Sequence, residues 1–153
     1  MDFPNLKKPT HLLATWFGIG LLRPGPGTWG SLAAAILWFF LPIAHTWTWL
    51  ILPLFIFLSW YVCSAVNKDS DSEDHSSVVI DEVAGMLLAL AFVPHTSMAY
   101  FGAFILFRVF DIWKPWPISW ADKSVKGGLG ILLDDLIAGF FAGGIIFTIF
   151  ILV

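Results

Sequence analysis

The sequence is poor in charge, and the little it has is segregated. Only 12% of the 153 residues are charged, and all lie in three stretches, Asp2 to Arg23, Lys68 to Glu82 and Arg108 to Asp135. Pro24 to Asn67, Val83 to Phe107 and Leu136 to Val153 carry none. There is no basic run, and the net charge is −3, so nothing here neutralises a nucleic-acid backbone or attracts anionic lipid in general. The single cysteine, Cys63, excludes an intrachain disulfide and, beside Trp60, Tyr61 and Val62, reads as a packing residue. Zinc-ligand spacing, a Ser-His-Asp order, a Walker loop and internal repeats are all missing, which removes the usual signatures of zinc and covalent hydrolases.

What is present is apolar surface. Apolar residues make up 58% of the chain, with nine Trp and fifteen Phe, more than a soluble core of this size buries. The expected fold is therefore all-α: one domain, residues 1–153, forming a polytopic membrane bundle of about five hydrophobic helices plus an N-terminal interfacial helix. A span needs about 20 apolar residues. Pro24 to Asn67 has room for two, expected over Thr28 to Ala44 and Trp47 to Val66 around a turn at His45-Thr46. Lys7, Lys8 and Arg23 mark the side where this hairpin starts and ends as cytoplasmic. His11 to Leu22 resembles a signal peptide, but Arg23-Pro24-Gly25-Pro26-Gly27 follows in place of a cleavage site. It is expected to be retained at the interface.

A single crossing between Val83 and Phe107 would put Arg108, Lys114, Lys123 and Lys126 outside, against the positive-inside rule. Pro94-His95-Thr96-Ser97 instead predicts a turn between helices over Ser76 to Val93 and Ser97 to Ile112. Both charged ends then return to the cytoplasm, and Asp81, Glu82, Arg108 and Asp111 fall at similar depth. Trp113 to Leu133, with Trp116, Trp120, Pro115 and Pro117, reads as interfacial, and a last helix is expected from near Asp134-Asp135 to Val153. Asn67 to Ser77 reads as a mobile loop.

Carboxylates at one membrane face repel unless a cation joins them. Asp81-Glu82, Asp111 with Asp122 farther along, and Asp134-Asp135 offer the hard oxygen ligands that suit Mg²⁺, although plain interfacial charges at helix ends give the same pattern. Arg108 and Asp111 share a helix face, so Arg108 is either a fork for phosphate oxygens or the partner that makes Asp111 tolerable in the membrane. Lys114, Lys123 and Lys126 are further cations or snorkelling anchors. In Pro26-Gly27-Thr28-Trp29-Gly30-Ser31, free backbone N–H groups at a helix start could hold a phosphate, or the segment is a tight re-entry turn. His11 is a candidate proton carrier.

Four motifs in order then carry a resemblance. They are Pro26-Gly27-Thr28-Trp29-Gly30-Ser31, Asp81-Glu82-Val83-Ala84-Gly85, Phe107-Arg108-Val109-Phe110-Asp111-Ile112-Trp113-Lys114-Pro115-Trp116-Pro117-Ile118, and Gly127-Gly128-Leu129-Gly130-Ile131 leading to Asp134-Asp135. Over nearly its whole length the chain resembles the phosphatidylglycerophosphatase A family of bacterial membrane lipid phosphatases. The resemblance implies Mg²⁺-dependent hydrolysis of the terminal phosphomonoester of phosphatidylglycerophosphate, a membrane phospholipid, on the cytoplasmic side of the inner membrane. Under it Asp81, Glu82, Asp111, Asp134 and Asp135 are candidate metal ligands. Thr28, Ser31, Arg108, Lys114 and Lys123 are candidate substrate-binding residues. Asp81 or Asp135 is a candidate general base, with an aspartyl phosphate as the competing chemistry. From other classes, an ion-coupled transporter or channel subunit would use Arg108-Asp111 and Asp81-Glu82 as a relay, and a scaffold would use them for nothing.

Overall fold

Two prolines and a left-handed glycine set the first long helix. Gly25 takes φ 68°, Pro26 follows at the first helical position where its missing N–H is harmless, and the Trp29 indole N–H donates back to the Pro24 carbonyl at 3.0 Å. The computed structural model describes residues 3–41, 45–70 and 75–153. Among these it contains seven α-helices and no strand: α1 Pro9–Ala14, α2 Pro26–Phe40, α3 His45–Asp69, α4 Ile80–Phe92, α5 Ser97–Trp113, α6 Ile118–Ser124 and α7 Gly127–Leu152.

Helix α4 is apolar almost all round and lies at the centre, packed on α7, α2, α3 and α5. Its contact with α7 is close enough to require glycine. A Cβ on Gly139 would run into the carbonyl oxygen of Gly85, and one on Gly143 would lie 2.6 Å from that of Ala89. Gly144, by contrast, faces open space. Gly144→Ala is therefore expected to leave the fold intact and stabilise it by about 0.5–1 kcal/mol through helix propensity, read as a small rise in the detergent unfolding midpoint.

Two helices, Thr46–Asp69 and Gly127–Leu152, are long and apolar enough to cross a bilayer. Their outer faces and those of their neighbours carry large exposed side chains, among them Phe40, Leu54, Phe57, Phe101 and Leu152. Lipid solvates such a surface and water does not. At 15, 13 and 17 residues, α2, α4 and α5 are shorter than the usual span.

Several element bounds differ from expectation for identifiable reasons. Helix α3 starts at His45, within the expected turn, and runs on to Asp69, into the expected loop. Its end is tied down where the Asp69 carboxylate meets Lys8 Nζ at 3.2 Å and His11 Nε2 at 3.3 Å. Residues 71–74 of that loop, 42–44 at the end of the first expected span, and 1–2 lie outside the described residues. Helix α4 begins at Ile80, not Ser76, because the Val79 N–H is diverted to the Ala14 carbonyl at 2.8 Å. The N-terminal segment is not one helix. It breaks after α1 at Trp16, Phe17 and Gly18, all with positive φ, and closes with a 3-10 turn at Ile19–Leu21.

The largest shift is at the last helix, which starts at Gly127 and not at Asp134-Asp135. Its glycine-rich first turn is poor in intrinsic propensity, but Gly128 lies directly against Ser64 of α3 and Gly130 against the Val125 carbonyl. Packing overrides propensity there. Asp134 and Asp135 consequently sit about two turns inside α7 rather than at its tip.

Candidate active site

The chain turns after α4 at Val93–Thr96, and the Thr96 hydroxyl oxygen caps α5 by accepting from the Ala99 N–H at 3.2 Å. This antiparallel return sets the C-terminal turns of α5 beside the first turn of α4. Asp81 and Glu82 stand on that first turn, where the helix dipole favours negative charge. Arg108 and Asp111 stand near the end of α5, and α7 brings Asp134 and Asp135 against both.

The carboxylates fall into two overlapping groups. Ligand oxygens of Asp81, Glu82 and Asp135 lie within 4.8 Å of one another, and so do those of Asp111, Asp134 and Asp135. Asp81, Asp134 and Asp135 are only 7%, 6% and 3% exposed. Yet Asp81 Oδ1, Glu82 Oε2, Asp134 Oδ1 and Asp135 Oδ1 have no hydrogen-bond partner, and neither does Arg108 Nε. Buried polar atoms are nearly always paired, so orphaned oxygens from several residues at one place point to a missing ligand.

Two cations are already committed in part. Arg108 Nη1 donates to Asp111 Oδ2, leaving Nε free. Lys114, at the left-handed C-cap of α5, donates to Asp122 Oδ1 at 2.7 Å and Asp134 Oδ2 at 2.9 Å. Partial burial works against its charge, but these two hydrogen bonds outweigh it and hold the ammonium's pKa above the ordinary lysine value. An ammonium has three N–H donors, so one remains for an incoming anion.

Lys114, Asp122 and the five carboxylates line a cavity of about 120 Å³ with Lys126, Gly130 and Ile131, far above the roughly 10–15 Å³ that one water requires. A larger cavity of about 740 Å³ at the other end of the bundle, bounded by Trp38, Phe92, His95 and Phe147, has no Asp, Glu, Lys or Arg among the described residues of its wall. The smaller one is therefore the candidate site.

Of the sequence-predicted residues, Asp81, Glu82, Asp111, Lys114, Asp134 and Asp135 line this cavity, with Arg108 bound to its Asp111. Thr28 is half-buried in the first turn of α2, and Ser31 is fully buried, its hydroxyl donating to the Gly27 carbonyl at 2.7 Å. Neither lines the cavity, nor does Lys123, which is exposed on α6. His11 is buried and ties the N-terminal segment to α3, accepting from the Asn5 N–H through Nδ1 at 3.1 Å and facing Asp69 through Nε2. Two residues take roles that the sequence reading did not give them. Asp122 holds Lys114 across a proline-rich turn. Gly27 lets α2 reach the cluster, since a Cβ there would strike Glu82 Oε1 and come within 3.2 Å of Arg108 Nη1.

The family model described as Phosphatidylglycerophosphatase A matches residues 12–150. The chain belongs to the phosphatidylglycerophosphatase A family. It is 41% identical over 147 residues to Phosphatidylglycerophosphatase A of Escherichia coli (strain K12), covering 95% of this chain and 86% of that protein. It is 42% identical over 148 residues to Phosphatidylglycerophosphatase A of Haemophilus influenzae, covering 95% of this chain and 91% of that one. A Bacteroides thetaiotaomicron relative provisionally named as a phosphatidylinositol-3-phosphatase is 36% identical over 149 residues, covering 90% and 92% of the two chains. No solved structure matches significantly. The phosphatidylglycerophosphatase A match takes in α4, α5 and α6 and nearly all of α7, the helices whose residues line the carboxylate cavity.

Proposed function

We propose that this protein hydrolyses the terminal phosphomonoester of phosphatidylglycerophosphate to phosphatidylglycerol and inorganic phosphate, with Mg²⁺ held in the carboxylate cavity. The enclosed set of unpartnered carboxylate oxygens beside Arg108 and Lys114 carries the reading, and the printed names of two relatives supply the substrate. Hard, anionic oxygens with no protein partner fit Mg²⁺, and its ligands would come from among Asp81, Glu82, Asp111, Asp134 and Asp135. Bound there, Mg²⁺ supplies Lewis-acid polarisation of the phosphoryl group and a lowered pKa for a bound water.

The chain's own residues do the rest. The free Arg108 Nε and the third Lys114 N–H donate to phosphoryl oxygens as charge shifts onto them. A carboxylate not engaged by the metal, Asp81 or Asp135, accepts the proton of the attacking water, and the ester oxygen leaves phosphorus and takes up a proton from solvent to become the hydroxyl of phosphatidylglycerol. Helices α2, α3, α4, α5 and α7 form a polytopic bundle in the bacterial inner membrane, with the charged ends and the cavity on the cytoplasmic side. The cationic residues beside the cavity support that orientation, and the exposed Trp113, Trp116 and Trp120 support an interfacial depth for this end of the bundle.

Incubation of the purified protein with phosphatidylglycerophosphate in detergent micelles is expected to yield phosphatidylglycerol and phosphate in equal amounts. Intact lipid at every Mg²⁺ concentration would overturn the assignment. Arg108→Lys is expected to lose about 10²-fold in kcat, because a point ammonium cannot both pair with Asp111 and present a fork. Near-normal turnover in that variant would leave Arg108 as a partner of Asp111 alone.

A further inference from the structure

The two carboxylate groups are not equivalent halves of one ring. Neighbouring residues on a helix point about 100° apart, and on α7 this difference separates Asp134 from Asp135. Asp134 belongs with Asp111 of α5 and is hydrogen-bonded by Lys114, whereas Asp135 falls within 4.8 Å both of that group and of Asp81 and Glu82 on α4. Among the described residues Asp135 alone belongs to both groups. It is also the most deeply buried of the acids, 3% exposed, with Oδ1 unpartnered.

We infer that Asp135 is shared between two cation subsites, Asp81-Glu82-Asp135 and Asp111-Asp134-Asp135, so that the cavity takes a pair of divalent cations. The inference rests on the metal-dependent phosphatase reading above and gives its metal count. A carboxylate has two oxygens and enough lone-pair directions to bridge two ions about 3.5–4 Å apart. Five carboxylates also exceed what one Mg²⁺ uses, because that ion keeps most of its waters and takes one or two protein carboxylates.

Charge points the same way. The cavity gathers six carboxylates, Asp122 included, against Lys114, Lys126 and Arg108. A phosphate monoester brings nearly two further negative charges. One divalent ion leaves that assembly about as negative as the empty cavity, whereas two bring it close to neutral. The orphaned oxygens are distributed accordingly, on Asp81 and Glu82 in one subsite, Asp134 in the other and Asp135 between them.

The test is Mn²⁺ binding to the full chain in detergent, followed by equilibrium dialysis and electron paramagnetic resonance. Two Mn²⁺ per chain and a spin-coupled spectrum are expected. Glu82→Gln and Asp134→Asn should each leave one uncoupled ion. Asp135→Asn should abolish the coupling and weaken both ions by about 10–100-fold. A single Mn²⁺ per wild-type chain at saturation, none at all, or two uncoupled ions indifferent to Asp135→Asn would overturn the pair, and the wild-type count decides even if a variant fails to fold. One ion with normal phosphate release leaves the phosphatase standing without the pair. Two coupled ions with no release from phosphatidylglycerophosphate leave the pair standing without the phosphatase.

Discussion

Asp135→Asn is expected to lower phosphate release from phosphatidylglycerophosphate by about 10²–10³-fold, on the scale of removing one preorganised electrostatic contact, while the protein stays helical and monodisperse in detergent. The substitution keeps the side chain's shape and deletes a charge that is 3% exposed and shared by both carboxylate groups. Its sign on stability separates this account from a purely structural role. Like charges packed this closely destabilise the cluster when no cation is bound, so the metal-free variant should unfold at the same temperature as the wild type or higher. Loss of activity together with a lower metal-free midpoint would mean that Asp135 holds the fold. Asp81→Asn should follow the same pattern, whereas Asp134→Asn should lose activity likewise but also gives up the Lys114 ion pair, so its metal-free midpoint is not expected to rise.

Gly139→Val is expected to have the second large effect, on the fold itself. The added Cβ would meet the Gly85 carbonyl, which is backbone and cannot rotate away, so α4 and α7 must separate. Overpacking of this kind costs about 3 kcal/mol, or a fall of roughly 6–12 °C in the unfolding midpoint for a chain of this size. Because α4 and α7 carry Asp81, Glu82, Asp134 and Asp135, turnover should fall with it. Gly144→Ala, one turn and more along the same helix and facing open space, is the matched control. If both variants melted together, close packing of α4 on α7 would not be what holds the site.

The charge pattern alone foretold which ends of the helices would meet, since a chain that cannot leave Asp81, Glu82, Arg108 and Asp111 in lipid must turn between them. The structure turns there, after Phe92 and before Ser97. Helix α5 was legible nearly to its ends because its apolar run is bounded by the Thr96 cap and by Lys114-Pro115. The start of α7 was not, because Gly127, Gly128 and Gly130 read locally as a flexible approach and become helical only through packing on Ser64 and Val125. Nor was the end of α3, which depends on Lys8 and His11, some sixty residues away in sequence. At the site, the acids of the cavity stood out as charges in apolar surroundings. The roles of Gly27 and of Asp122 as the partner of Lys114 did not, since one matters for what it lacks and the other sits exposed on α6 among ordinary interfacial residues.

If the buried acids hold Mg²⁺ for hydrolysis of a lipid phosphate, activity must follow the metal. Phosphate release from phosphatidylglycerophosphate is measured on purified protein dialysed against EDTA, then titrated with Mg²⁺. No release after dialysis and full recovery on adding Mg²⁺ are expected. Undiminished release in excess EDTA would contradict that dependence.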